Sequence, residues 1–235
     1  TRVIVRSGDP MSLQDVQLAS PSTARSVIVL AADGSTEPDA EVIKSVLALV
    51  GAGGSRADAH HIVAELHDLE NLEAAQLVGR GQVQWVTASD LVARIMVQTC
   101  RQSGLSAVYS ELLDFGGDEV YVHRAPELVG STYGELQFQY ATSTVMGLVS
   151  GGKVHLNPPV DTVYRDGDDM IMIAEDDSTI RREHAPQPDL SAIVAPAPSA
   201  RETERTLVLG YNDGLHLMLR ELDSYVAPGS TTLVV

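Results

Sequence analysis

The sequence predicts an α/β fold: an incomplete, doubly wound parallel sheet, then a small α+β lobe, then one further β–α–β unit. Three observations predict it. Up to about residue 103, short β-branched runs alternate strictly with amphipathic runs of helical length, the pattern of a parallel sheet with crossover helices. After Gly104 the apolar runs shorten and turn residues crowd together, as in "GGKVHLNPPVDT" and "YRDGDDMIMIA", which is the pattern of antiparallel strands. The closing stretch "TLVLGYNDGLHLMLRELDSYVAPGSTTLVV" returns to strand, tight turn, helix and strand.

Element by element, "TRVIVRSGDP" is a β-branched run closed by Gly8 and Pro10 and predicts a strand over residues 2–6. "SLQDVQLA" predicts a short helix capped by Ser12. "RSVIVLAAD" predicts a strand over 26–31. "STEPDAEVIKSVLALVGAGG" predicts a helix whose acidic first turns suit the helix dipole and whose glycines at 51–54 end it. "HHIVAELHD", "LENLEAAQLVG", "QVQWVTA" and "SDLVARIMVQTCRQ" continue as strand, helix, strand and helix, the last with Ser89 at its start. "LSAVYSELLDF" is one more helix. Residues 116–182 read as the small antiparallel lobe, and residues 183–205, with "APQP" and "APAPSA", read as a linker.

Composition sets the expected class. The 235 residues are 44% hydrophobic but only 4% aromatic, so the core is expected to consist of Val, Ile, Leu and Ala in strands buried on both faces. A net charge of −16 repels phosphate backbones and anionic headgroups, which argues against nucleic acid as partner. The single cysteine, Cys100, excludes an intrachain disulfide and is expected to be a buried thiol. No apolar run approaches the ~18 residues of a membrane span, and no basic-then-apolar leader opens the chain, so a soluble, cytoplasmic piece is expected.

A doubly wound sheet of spatial order 3-2-1-4-5-6 places its first two strands between the third and the fourth. The chain reads as beginning at the third strand, which would leave a hole between the strands at 2–6 and 26–31. The closing β–α–β unit is the available candidate to fill it, in cis or from a second copy.

Such sheets bind ligands at the carboxyl ends of their strands. Those ends carry Asp9, Asp33, Glu65, His67, Asp68 and Asp90, with Glu65 and His67 on one face by alternation. Converging oxygens there would suit a hard cation such as Ca2+. Glu175 and Asp176, at the end of an apolar strand, form a second candidate pair. Asp166, Asp168 and Asp169 around Gly167 read as a solvated turn. His60, His61 and His67 do not make a zinc site, because adjacent strand residues point to opposite faces. In the closing turn, Gly210, Asn212 and Gly214 are the candidate cofactor-binding residues. The dinucleotide fingerprint is broken there, with Asn212 and Leu215 in the second and third glycine places, so a nucleotide is the lesser expectation. Leu91, Ile95 and Met96, with Val92, make an apolar stripe suited to packing on the chain's own sheet or on a partner subunit. Neither "SGLSAVYSELL" nor "VQTCRQ" carries a nucleophile with a placed base, and no enzyme is expected.

Several longer stretches are more specific. "VIVRSGDP", "TCRQSGLSAVYSELLDFGGDEVY", "PELVGSTYGELQFQYATSTVMGL", "LNPPVDT" and "IAEDDSTI" resemble the cytosolic regulator-of-potassium-conductance (RCK) gating domains of CASTOR/POLLUX-type ion channels. The resemblance implies a Rossmann-like N-lobe with its first strands missing over 1–103, a crossover helix over 104–115 and a C-lobe over 116–182. It implies a linker over 183–205 and the start of a second N-lobe over 206–235. It also implies a homo-oligomeric ring on the cytoplasmic side of the cell membrane, under the pore domain of the same channel, that couples a cation or small ligand to pore opening. Glu65 matches a carboxylate position of the calcium-gated branch, while Leu30 and His67 depart from its other positions. The rival readings are a nucleotide-binding regulator of potassium transport and an NAD-dependent oxidoreductase.

Overall fold

The computed structural model describes residues 3–52, 61–114, 116–183, 192, 194 and 202–235. The chain divides into two units, Thr1–Gln98 with Glu202–Val235, and Thr99–Arg201.

The first unit holds a three-stranded parallel sheet in the order β1 (Ser26–Val29), β2 (His61–Leu66), β3 (Val83–Thr87). Val27 pairs with Ile62, and Ala64 with Trp85. The helices α1 (Leu13–Leu18), α2 (Pro38–Ala52) and α3 (Leu72–Gly79) fall where the sequence places them. Ser12 caps α1 by accepting from the Asp15 amide. Alternation along β2 buries Ile62, Ala64 and Leu66, and Ala64 packs with Val42 and Val46 of α2. Val29, Val50, Val78, Val83 and Trp85 close this small aliphatic core.

Three expectations fail in this unit. Residues 3–7 form no strand, and Val3, Ile4 and Val5 are exposed. β-Branching favours extended backbone, but a strand exists only where its peptide groups find a partner. Nor does the closing unit fill the hole in cis: β8 (Arg205–Val208) and β9 (Thr231–Val234) pair with each other, in parallel, as a separate two-stranded sheet crossed by α7 (Leu215–Tyr225). Finally, the parallel sheet is not buried on both faces. Ile28 and Val86 lie on the face opposite the core and stay exposed, as the alternating burial of β1 and β3 shows.

The helix α4 (Ala88–Arg101) runs across the division between the units. In the second unit, α5 (Leu105–Leu113) precedes an antiparallel sheet of order β4 (Glu119–His123), β7 (Asp169–Ala174), β5 (Thr144–Ser150), β6 (Lys153–Leu156). The β5–β6 hairpin turns on Gly151 and Gly152, both at positive φ, as a two-residue turn between twisted strands requires. The short α6 (Tyr133–Leu136) is held by a capping box between Thr132 and Glu135. Its Tyr133 and Leu136 enter a core with Leu128, Tyr140, Val145, Leu148, Tyr164, Met170 and Met172. This core is therefore not purely aliphatic. Three of the chain's few aromatics are concentrated here, and two of them find partners for their hydroxyls: Tyr164 accepts from the Ala125 amide, and Tyr133 donates to the Val145 carbonyl. Of the predicted linker over 183–205, residues 184–191, 193 and 195–201 lie outside the described residues, and Arg205 already belongs to β8.

Candidate functional site

The carboxyl end of β2 is the most organised polar region of the first unit. Asp39 sits in the first turn of α2, three and seven residues before Val42 and Val46, hence on the stripe that faces the sheet. That register carries its carboxylate to the strand end, where it is only 6% exposed. It accepts from the His67 amide at 2.8 Å, the Asp68 amide at 3.0 Å and the Asn71 side-chain amide at 2.8 Å. Burial alone would raise its pKa. The three hydrogen bonds and the charge of His67 outweigh that and hold it below the usual carboxylate value.

Around this clamp the other side chains take defined places. Glu65 is half-buried and accepts from the Ala31 amide at 3.1 Å, tying the end of β2 to the segment after β1. Its other oxygen stands 3.7 Å from His67 Nε2, on the face that alternation predicts. Ser89, the second residue of α4, donates its hydroxyl to the His67 carbonyl. Asp68 caps the 3-10 turn Leu69–Asn71 by accepting from the Glu70 amide. Asp33 is exposed in the turn after β1. Asp9 closes its own turn by accepting from the Met11 amide, and Asp90 pairs with Arg94.

The structure thus brings Glu65, His67 and Asp68 to one strand end, but Glu65 and Asp68 each commit an oxygen to a backbone amide. Among the described residues, no three His, Cys, Asp or Glu side chains gather so that they could hold a metal ion. Calcium takes six to eight oxygens, and the arrangement as it stands does not fit it. The missed residue is Asp39. Its signal in the sequence is an acid in the first turn of a helix three residues before a core valine, which by itself implies only a favourable dipole contact.

The second candidate pair belongs to the other unit. Glu175 is exposed at the end of β7, and Asp176 caps the 3-10 turn Asp177–Thr179. Hydrogen bonds from Ser178 hold the Asp176 carboxyl below its usual value. The acidic turn before β7 is structural: Asp168 is buried and accepts from the Arg165 amide, and Asp169 pairs with Arg124 at 2.7 Å.

The closing turn also resists a nucleotide. Gly210 uses a positive φ, but its amide donates to the Val235 carbonyl at 2.7 Å. The Asn212 side chain accepts from the Gly214 amide at 3.1 Å, so it occupies a donor that a phosphate would need. Leu215 is buried as the first residue of α7. These residues do not fit a pyrophosphate as arranged.

On α4 the buried side chains are Ala93 and Val97, while Leu91, Val92 and Met96 are exposed and Ile95 is half-buried. The stripe therefore does not pack on the chain's own sheet. Cys100 is exposed, against the expectation of a buried thiol: its spacing puts it on the Ala93–Val97 face, but it lies in the last turn of α4, where the described residues leave that face uncovered. No helix among the described residues is long and apolar enough to cross a membrane.

Comparison with known proteins shows what the chain is similar to. Residues 89–190 match the family model "Castor and Pollux, part of voltage-gated ion channel". Over 98% of its length the chain is 34% identical to "Probable ion channel POLLUX" of Oryza sativa subsp. japonica, and likewise 35% identical to "Ion channel CASTOR" of Lotus japonicus. The chain is similar to CASTOR and POLLUX ion channels along nearly its whole length. It spans about a quarter of these relatives, 24% of the first and 27% of the second. Among solved structures, the "Structure of the human SLO3 gating ring" matches with a TM-score of 0.70 over 97% of this chain and 51% of that one. At 13% identity the likeness is one of fold. The chain thus shares the α/β fold of that structure.

Proposed function

We propose that this chain is a ligand-sensing regulatory module of a cation channel, one that couples binding of a small charged ligand to pore opening. The observation that carries the reading is the match, across nearly the whole chain, to CASTOR and POLLUX ion channels. The module acts by binding, with no chemical turnover. It sits on the cytoplasmic side of the membrane within a homo-oligomeric ring, below the pore domain of the same channel. Residues 1–103 and 116–182 are the two lobes of one RCK domain joined through the helix at 104–115. Residues 183–205 are a linker, and residues 206–235 open a second domain. Leu91, Met96 and the half-buried Ile95 form a contact between copies.

Sensing is assigned to the strand ends around Glu65, His67, Asp68 and Asp33, where Asp39 fixes the backbone. A ligand shifts the ring only by binding its two states unequally. The channel carrying Glu65→Gln is accordingly expected to change its open probability about 5-fold or more, with unitary conductance and selectivity unchanged in single-channel recordings. Altered conductance with unaltered gating would place the residue in permeation and end this reading. Calcium chloride and NAD, added separately in thermal melts of the chain, sort the ligand class, because a ligand bound only by the native state raises Tm. A saturable rise with calcium that Glu65→Gln removes places a cation at the strand ends. A rise with NAD that survives Glu65→Gln favours a nucleotide regulator instead.

A further inference from the structure

The closing β8–α7–β9 unit meets α4 through two matching polar stripes. On α4, Asp90, Arg94 and Gln98 recur every four residues and so share one face; on α7, Glu221 and Tyr225 do the same. Arg94 Nε donates to Asp90 Oδ2 at 2.8 Å, and Arg94 Nη2 reaches Glu221 Oε1 at 3.2 Å. Arg220 Nη2 lies 3.9 Å from Asp90 Oδ1. Gln98 Nε2 donates to the Tyr225 hydroxyl at 3.3 Å.

The two carboxylates are the sheltered members of this group. The side chains of Asp90 and Glu221 are 15% and 14% exposed, while those of Arg94 and Arg220 are 49% and 57% exposed. Two acids from different helices therefore converge on the Arg94 guanidinium, whose single positive charge, together with that of Arg220 beside Asp90, offsets theirs. Taking that charge away leaves like charges side by side in a partly desolvated place, where each disfavours the other. Interfaces of this polar kind permit relative motion of the parts they join. In a chain with 32 acidic and 16 basic residues, two arginines placed together on this joint are a scarce resource.

We infer that the closing unit is docked on α4 by an ionic clasp centred on Arg94, which opens when its charge is removed or screened and so makes the joint between α4 and α7 a switchable one. The clasp extends beyond the sensing role proposed above, since it involves neither Glu65 nor any ligand.

Hydrogen–deuterium exchange on the full chain tests it. In Arg94→Glu, exchange across residues 215–225 is expected to rise several-fold, while β5 and β7 in the other unit keep their protection. Arg94→Glu with Glu221→Arg restores protection, because the reversed charges pair again. Raising KCl from 0.05 to 0.5 M (about a threefold shorter Debye length) accelerates exchange of α7 in the native chain and has little further effect in Arg94→Glu. If Arg94→Glu also deprotects β2, the milder Arg94→Gln is read instead, with the same rise confined to 215–225. Unchanged exchange in α7, or a double variant that adds to the damage instead of repairing it, overturns the clasp.

Discussion

Replacing Asp39 by alanine is expected to destabilise the first unit by about 2–4 kcal/mol, because three donors lose a buried charged acceptor at once. The amides of His67 and Asp68 and the side chain of Asn71 all converge on this carboxylate. The damage is local in origin: the end of β2, and with it Glu65 and His67, loses its anchor to α2. Chemical denaturation gives the size of the loss, and exchange at His67 and Asp68 gives its place. The effect also carries a pH signature. The native pKa is lowered, so the stabilisation is complete above the unfolded carboxylate value, about 4, and is lost as pH falls through the lower native value. The stability gap between the native chain and Asp39→Asn should therefore be constant near neutrality and narrow in acid below about pH 4. A gap that widens on acidification, or an Asp39→Ala chain as stable as the native one, would refute the clamp.

The second large effect is expected at Gly147→Ala. Gly147 lies in β5 at an irregularity in its pairing with β7 and opposite Leu156 of β6. A Cβ there would press into the His155 carbonyl oxygen and approach the Leu156 Cα within 3.0 Å. Both obstacles are backbone, so no side chain can rotate away, and the β5–β6 ladder must shift. The expected cost is about 3 kcal/mol, at the upper end for overpacking, with the loss confined to the second unit. Paired melts of the chain with Gly147→Ala and with Gly151→Ala separate the causes. At Gly151 the space is open and the backbone is left-handed, so its cost reflects conformation alone. A neutral Gly147→Ala would mean that the strands do not approach as closely as described.

Periodicity made most of the architecture readable. The β2 run "HIVAEL" alternates, and it buries Ile62, Ala64 and Leu66. The switch to short runs after Gly104 does mark antiparallel pairing. What periodicity cannot supply is the identity of a strand's partner. Residues 3–6 have strand composition and no strand, and the closing unit pairs with itself while its helix leans on α4 through charges. The candidate site was legible only in part, for a similar reason. Glu65 and His67 share a face because of a two-residue repeat, which sequence shows. Asp39 reaches the His67 amide across 28 residues of chain because α2 lies over β2, and that is a tertiary fact. Acids that look free in a sequence are also hard to tell from acids used as caps, as Asp68 and Asp176 prove to be. The exposed Cys100 has the same root: its place on the Ala93–Val97 face is visible in the sequence, but how far along α4 that face stays covered depends on what the helix packs against.

The outer edge of β1 has consequences at the bench. Among the described residues no strand covers it, and Ile28 and Leu30 lie bare beside it. Unpaired peptide groups next to greasy side chains are a template on which a second molecule can extend the sheet. In this chain, mutual repulsion from sixteen surplus negative charges opposes that approach. The protection is electrostatic and therefore fades with added salt, so a stock of the isolated polypeptide should stay dispersed in dilute buffer and turn cloudy as the salt is raised.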